Sequence, residues 1–71
     1  MNQVPKMIST KDLSYISDMF EWNFTVSKVC KSYEEKIETE DIKTIIGDIG
    51  RMHANICAKL VEILGGNYGQ Q

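Results

Sequence analysis

The sequence predicts an all-α fold, an antiparallel helical hairpin that dimerises into a four-helix bundle. Two long segments carry apolar residues at helical spacing, and neither contains a proline. A helix-start signal precedes each segment. The apolar arc of each predicted helix is too wide for one partner helix to cover, which favours a two-fold dimer over an isolated hairpin.

Helix 1 is predicted over about residues 10–36, after a short N-terminal tail. Ser9 can cap it, and Asp12 lies three residues further on as a short capping-box partner. Ile8 and Leu13 fit the two positions of a hydrophobic staple. Among the apolar residues of this helix lies one amide, Asn23, which needs a hydrogen-bond partner there.

Helix 2 is predicted over about residues 40–64. Thr39 can cap it, and Glu40 and Asp41 place negative charge at the positive end of the helix dipole. Gly65 fits the C′ position that ends a helix in the left-handed conformation. Residues 65–71 are expected to form a flexible tail. With one predicted helical hairpin, residues 1–71 are expected to form a single domain.

Small residues interrupt helix 2 and predict close helix packing. Gly47 and Gly50 lie inside the helix, where each costs about 1 kcal/mol relative to alanine. Gly50, Ala54 and Ala58 follow one another at four-residue spacing, beside the main apolar stripe. Small side chains allow another helix to approach closely. A functional hinge or a ligand channel is the alternative interpretation.

A turn at residues 38–39 sets the register of the hairpin. Residues equally far from the turn face each other, so their numbers should sum to about 77. Asn23 then lies level with His53, the single histidine of the chain. The two form a predicted buried polar pair in the middle of the hairpin.

The same register separates the two cysteines. Cys30 should face Gly47, whereas Cys57 should lie near Phe20. The cysteines are then about 15 Å apart along the hairpin, too far for an intramolecular disulfide. Both are expected to be reduced thiols that act as small hydrophobic side chains.

Three roles are open to His53. It can be a neutral core histidine bonded to Asn23 or across a dimer. A ferritin-like metal site would need a Glu three residues before it and a Glu on the facing helix, but Gly50 and Asn23 occupy those positions. Histidine phosphotransfer would need an exposed imidazole. No catalytic residue, metal or cofactor is therefore predicted.

Composition excludes several classes of function. The net charge of −2 provides no basic stripe for nucleic acid. No apolar run is long enough for a membrane span, and the first residues do not resemble a secretory signal. Cytoplasmic synthesis is therefore expected, and a homodimer is the expected partner arrangement.

Three stretches carry a family resemblance: residues 8–19, which read ISTKDLSYISDM; Trp22-Asn23 with Met52-His53; and the closing segment of residues 60–64. Together they resemble small helical spore-coat-type proteins of endospore-forming bacteria, similar to the coat protein F family. The resemblance implies a ferritin-like fold, of which one hairpin is half. It also implies a structural or assembly role in the spore coat, with other coat proteins as partners and no catalytic residues.

Overall fold

The computed structural model describes residues 8–68, which form two long helices packed side by side and, within that range, no strand. The first helix, α1, spans Thr10–Glu34, and the second, α2, spans Glu40–Glu62. A π-helical segment, Ile63–Tyr68, continues from α2. The predicted all-α hairpin is confirmed.

Each helix begins at its predicted cap. The hydroxyl oxygen of Ser9 accepts a hydrogen bond from the backbone N–H of Asp12 at 3.0 Å. Thr39 caps α2 with an extended backbone, but its side chain makes no capping hydrogen bond. Helix α1 ends at Glu34, two residues earlier than predicted, and the backbone N–H of Lys36 then bonds to the Tyr33 carbonyl as the turn begins.

The end of α2 differs from the prediction. Gly65 does not adopt a left-handed conformation, because no glycine of the described residues has a positive φ. The chain instead widens into the π-helical segment Ile63–Tyr68. A π-helix pairs backbone groups five residues apart, so it continues the helical backbone without a left-handed residue. Of the predicted flexible tail, residues 65–68 have this helical backbone and residues 69–71 lie outside the described range.

The helices are antiparallel, and their register follows the predicted sum. The Cys57 thiol donates to the Phe20 carbonyl at 3.5 Å, and the residue numbers 20 and 57 sum to 77. His53 contacts Asn23 at 2.6 Å, a sum of 76. Cys57 therefore lies next to Phe20, as predicted.

Cys30 contacts Gly50 rather than the predicted Gly47. A Cβ placed on Gly50 would lie 2.9 Å from the Cβ of Cys30. Side chains of an α-helix lean towards its N-terminus, which in α1 points away from the turn. The Cys30 side chain therefore meets a residue of α2 that is further from the turn. Cys30 and Cys57 are both free thiols.

The core between the two helices is thin. No large side chain among the described residues is fully buried. The buried positions are few, and two of them are glycines: Asn23, Gly47, Gly50, Cys57 and Leu60. Since most large apolar side chains lie outside this core, the hairpin leaves much of its apolar surface uncovered.

Candidate functional site

The contact between α1 and α2 has a polar pair at its centre. Asn23 is 8% exposed, and its side-chain oxygen lies 2.6 Å from Nδ1 of His53. The amide nitrogen of Asn23 donates to the Met19 carbonyl at 2.7 Å, one turn earlier in α1. Both polar groups of the amide therefore have partners, as a buried amide requires. His53 itself is half-buried.

The two hydrogen bonds define which nitrogen of the imidazole carries a hydrogen. Because the Asn23 amide nitrogen donates to Met19, the Asn23 oxygen is the acceptor towards His53. Nδ1 of His53 must then donate, and the neutral ring keeps Nε2 as its acceptor. This arrangement orients the imidazole in the same way as the supporting bonds of metal-binding histidines.

The other ligands of a metal site are absent from the part of the chain that the structure describes. No group of three or more His, Cys, Asp or Glu side chains converges there. The positions level with His53 and one turn before it hold Asn23 and Gly50. The pair is thus a hydrogen-bonded contact between two helices, and the only ligand it offers to a metal is the imidazole.

The four small residues of α2 lie in different surroundings. Gly50 is buried against α1, where a side chain would collide with Cys30. Gly47 is buried beneath the ends of two flexible side chains, those of Glu34 and Arg51. Ala54 and Ala58 are exposed, although both border a groove that Phe24 of α1 also lines. In the hairpin the predicted row therefore does not pack as a unit.

A shallow groove of about 300 Å³ lies over Gly47 and Gly50. Its rim carries both signs of charge: Lys28, Lys31, Glu34 and Arg51. Arg51 bonds to Asp48 at 2.7 Å, and this hydrogen bond raises the pKa of the guanidinium above its usual value. The charged side chains that line the groove therefore carry a net charge of +2, and Asp48, bonded to Arg51 outside the lining, offsets one of these positive charges.

Each helix also carries a second line of apolar side chains, next to the line that contacts the other helix. The repeating steps of three and four residues are typical of helices that pack in bundles. The line on α1 consists of Tyr15, Met19, Trp22, Val26, Val29 and Tyr33. The line on α2 consists of Ile42, Ile45, Ile49, Met52 and Ile56, and it resumes seven residues later at Ile63, the first residue of the π-helical segment. Val26 and Ile56 are half-buried, and the other ten side chains are exposed.

The two lines lie on the same face of the hairpin. On α1 the contact line passes through Phe20 and Asn23, and on α2 it passes through His53 and Cys57. Each exposed line precedes its contact line by one residue, a rotation of about 100° about the helix axis. Because the helices are antiparallel, these two rotations turn both lines towards one side. We call this surface, formed by the twelve residues of the two lines, the apolar face.

The opposite face has a different composition. It carries Phe24 and Val61, together with the exposed Ala54 and Ala58, along a second shallow groove. Val61 is 55% exposed there, nearly the same fraction as Ile45 on the apolar face at 57%. The large apolar side chains are thus concentrated on one side of the hairpin. The sequence predicted apolar arcs wider than one helix could cover, and the antiparallel pairing brings their uncovered parts together.

Comparison with known proteins gives one relative without an assigned activity. A protein of Bacillus subtilis (strain 168), described as uncharacterized protein YuzM, is 33% identical over 49 residues. The match covers 69% of this chain and 60% of that protein, so the chain spans less than two thirds of its relative's length. No family model and no solved structure matches the chain. Neither described helix is both long and apolar enough to cross a membrane.

Proposed function

We propose that the protein is a non-enzymatic structural or assembly protein that homodimerises through its apolar face into a four-helix bundle. The observation that carries the proposal is the concentration of ten exposed, large apolar side chains on one side of a thin hairpin. Soluble monomers rarely expose a contiguous apolar patch larger than a few hundred Å². Two apolar faces packed together would supply the core that a single hairpin lacks.

The area of the apolar face is sufficient for a stable dimer. Its exposed side chains range from 37% exposed at Ile49 to 69% exposed at Trp22. With about 200 Å² for each large apolar side chain when fully exposed, ten half-exposed side chains present on the order of 1,000 Å². A standard protein interface buries about 800 Å² on each partner. The face therefore matches a second copy of the hairpin in size.

The spore coat is the proposed location, with other coat proteins as further partners. The support is the resemblance of residues 8–64 to coat-type helical proteins, and a half-length ferritin-like unit fits a hairpin that pairs with a second copy. The absence from the sequence of a glycine-rich phosphate loop and a nucleophile elbow supports a non-enzymatic role. A fluorescent fusion followed through sporulation tests the location: signal at the spore surface supports it, and signal that stays in the mother cell contradicts it.

Sedimentation equilibrium at micromolar concentration tests the assembly. We expect a dimer for the natural sequence. Ile45→Glu places a charge on the apolar face and should give a monomer, because burying an unpaired carboxylate is strongly unfavourable. Val61→Glu is the matched control, since it adds the same charge at an equally exposed β-branched residue on the opposite face. It should remain dimeric.

A folded monomer of the natural sequence at this concentration would contradict the proposal. So would a dimer that Val61→Glu disrupts and Ile45→Glu leaves intact, because it would place the interface on the other side of the hairpin. Circular dichroism measured in parallel reports whether each variant is still helical.

A further inference from the structure

We propose that the two hairpins are related by a two-fold axis parallel to their helices, so that α1 of one copy packs on α2 of the other and both turns lie at the same end. This inference rests on the proposed dimer and specifies its geometry. Two face-to-face arrangements exist for a two-fold pair of hairpins, and they differ in which helices meet. The charges beside the apolar face distinguish them.

A parallel axis preserves the height of every residue along the bundle. In the half of the hairpin away from the turn, contacting residues have numbers that sum to 76 or 77, as His53 with Asn23 and Cys57 with Phe20 demonstrate, whereas nearer the turn Cys30 meets Gly50, a sum of 80. The same sum then relates α1 of one copy to α2 of its partner. The contacts of the dimer can therefore be derived from the register of the hairpin.

Two pairs of opposite charges meet at these heights. Asp18 lies level with the partner's Lys59, since 18 and 59 sum to 77, and Lys36, in the turn that follows α1, lies at the same end of the bundle as the partner's Asp41 near the start of α2. By symmetry each pair occurs twice in the dimer. Such flanking charges set partner choice and orientation in helical bundles.

The positions of these charges beside the apolar face follow from the hairpin. The Lys36 ammonium lies 5.8 Å from the ring centre of Tyr33, a residue of the face. Lys59 lines a surface depression together with Met52 and Ile56, also residues of the face. Asp18 is three residues after Tyr15 and four before Trp22, and so lies beside both on the helix surface.

The side chains of the two lines are also complementary in shape. The line on α1 contains the aromatic residues, whereas the line on α2 contains only isoleucine and methionine. With numbers summing to 77, Trp22 falls level with position 55 of the partner helix, between Met52 and Ile56. Tyr33 falls level with position 44, between two isoleucines. Trp22 and Tyr33 thus each lie level with a position between two residues of the partner's line, as packing of knobs into holes requires.

The other two-fold axis, perpendicular to the helices, is less favourable. It places α1 on α1 and α2 on α2, with the turns at opposite ends. The midpoint of α2 is residue 51, so facing residues on two copies of α2 would have numbers summing to 102. Asp41 would then lie within one residue of the level of the partner's Glu62, a like-charge pair, and Lys59 would lose its acidic partner.

Pulsed electron resonance between spin labels on the turns tests the geometry. The label is attached at Glu38→Cys, an exposed position, after Cys30→Ala and Cys57→Ala remove the natural thiols. We expect a single distance below about 30 Å, because neighbouring helices in a bundle are about 10 Å apart. A distance above about 35 Å would overturn the inference, because a helix of 25 residues is about 37 Å long and the turns would be at opposite ends.

This experiment distinguishes failure of the parallel two-fold axis from failure of the proposed dimer. A well-defined long distance would leave the dimer intact and reject only the parallel axis. Loss of all dipolar coupling in a helical protein would reject the dimer itself, and the inference with it.

Charge exchange tests the same geometry with both natural cysteines in place. Lys59→Glu should weaken the dimer about tenfold, because an attraction becomes a repulsion at two symmetry-related sites. The double variant Asp18→Lys with Lys59→Glu should restore the affinity to within about threefold. Lys28→Glu, at an exposed lysine outside the apolar face, is the control and should have little effect. A double variant as weak as Lys59→Glu alone would overturn the inference.

Discussion

Nδ1 of His53 lies 2.6 Å from the side-chain oxygen of Asn23. This hydrogen bond joins two residues that are 30 positions apart in the sequence, at the centre of the hairpin. A shift of one helical turn between α1 and α2 would move them about 5 Å apart and break this bond. The neighbouring contacts are a long hydrogen bond from the Cys57 thiol at 3.5 Å and the close approach of Gly50 to Cys30, neither of which pairs two buried polar side chains. The polar pair is therefore the part of the interface that specifies a single register, a role for which buried polar residues in helical bundles are known.

We expect Asn23 and His53 to be energetically coupled. Asn23→Leu and His53→Leu should each lower the free energy of unfolding by about 1–3 kcal/mol, because each leaves a partly buried polar group without its partner. The double variant should lose at least about 1 kcal/mol less than the sum of the two. Chemical denaturation of all four proteins at one concentration measures the coupling.

Ser27→Ala is a control for this cycle. The Ser27 hydroxyl donates to Phe24 in its own helix and makes no bond to α2. Its removal should change the free energy of unfolding by less than about 0.5 kcal/mol. Strictly additive effects at Asn23 and His53 would contradict the assigned role of the pair.

Two glycines of α2 should respond in opposite ways to alanine. At Gly47 the new Cβ would meet only the ends of Glu34 and Arg51, which can move aside, so Gly47→Ala should stabilise the helix by up to about 1 kcal/mol. At Gly50 it would lie 2.9 Å from the Cβ of Cys30, which cannot move without its helix. Gly50→Ala should therefore be destabilising.

Thermal and chemical denaturation of these two variants provide the measurement. Equal stabilisation by both would mean that α1 and α2 are further apart at Gly50 than the structure places them. Cys30→Ala cannot relieve the contact, because alanine retains the Cβ that causes it. Only Cys30→Gly, combined with Gly50→Ala, should recover the lost stability in part.

The two N-caps should differ in their energetic value. Ser9→Ala should lower the free energy of unfolding by about 1 kcal/mol, because the Ser9 hydroxyl accepts the backbone N–H of Asp12. Thr39→Ala should cost less, because the Thr39 side chain makes no capping bond. A larger loss at Thr39 than at Ser9, measured by urea denaturation, would contradict the capping geometry.

Much of the hairpin could be predicted because its signals are local. Both helix starts are predicted by their caps, Ser9 and Thr39. The position of the turn between the helices then predicts that Asn23 and His53 lie at the same height along the hairpin. Two details depend on interactions that the sequence pattern does not encode. The Cys30 side chain leans three residues past its level and meets Gly50, and the backbone beyond α2 widens at Gly65 instead of reversing there.

The candidate surface was only partly predictable for a similar reason. Helical spacing indicates that each apolar arc is too wide for one partner. It does not indicate where the uncovered parts lie until the contact lines are known. The bond between His53 and Asn23 identifies those lines, and most of the exposed large apolar residues then fall on one face, whereas Phe24 and Val61 lie on the other.

The fluorescence of Trp22 tests the central claim most directly. It is the single tryptophan of the chain, it lies on the apolar face, and it is 69% exposed in the isolated hairpin. At micromolar concentration we expect blue-shifted emission that is protected from acrylamide quenching in the natural sequence and in Val61→Glu, with protection lost in Ile45→Glu. A helical natural protein whose Trp22 is fully accessible to acrylamide at that concentration would contradict the assembly of this protein through its apolar face.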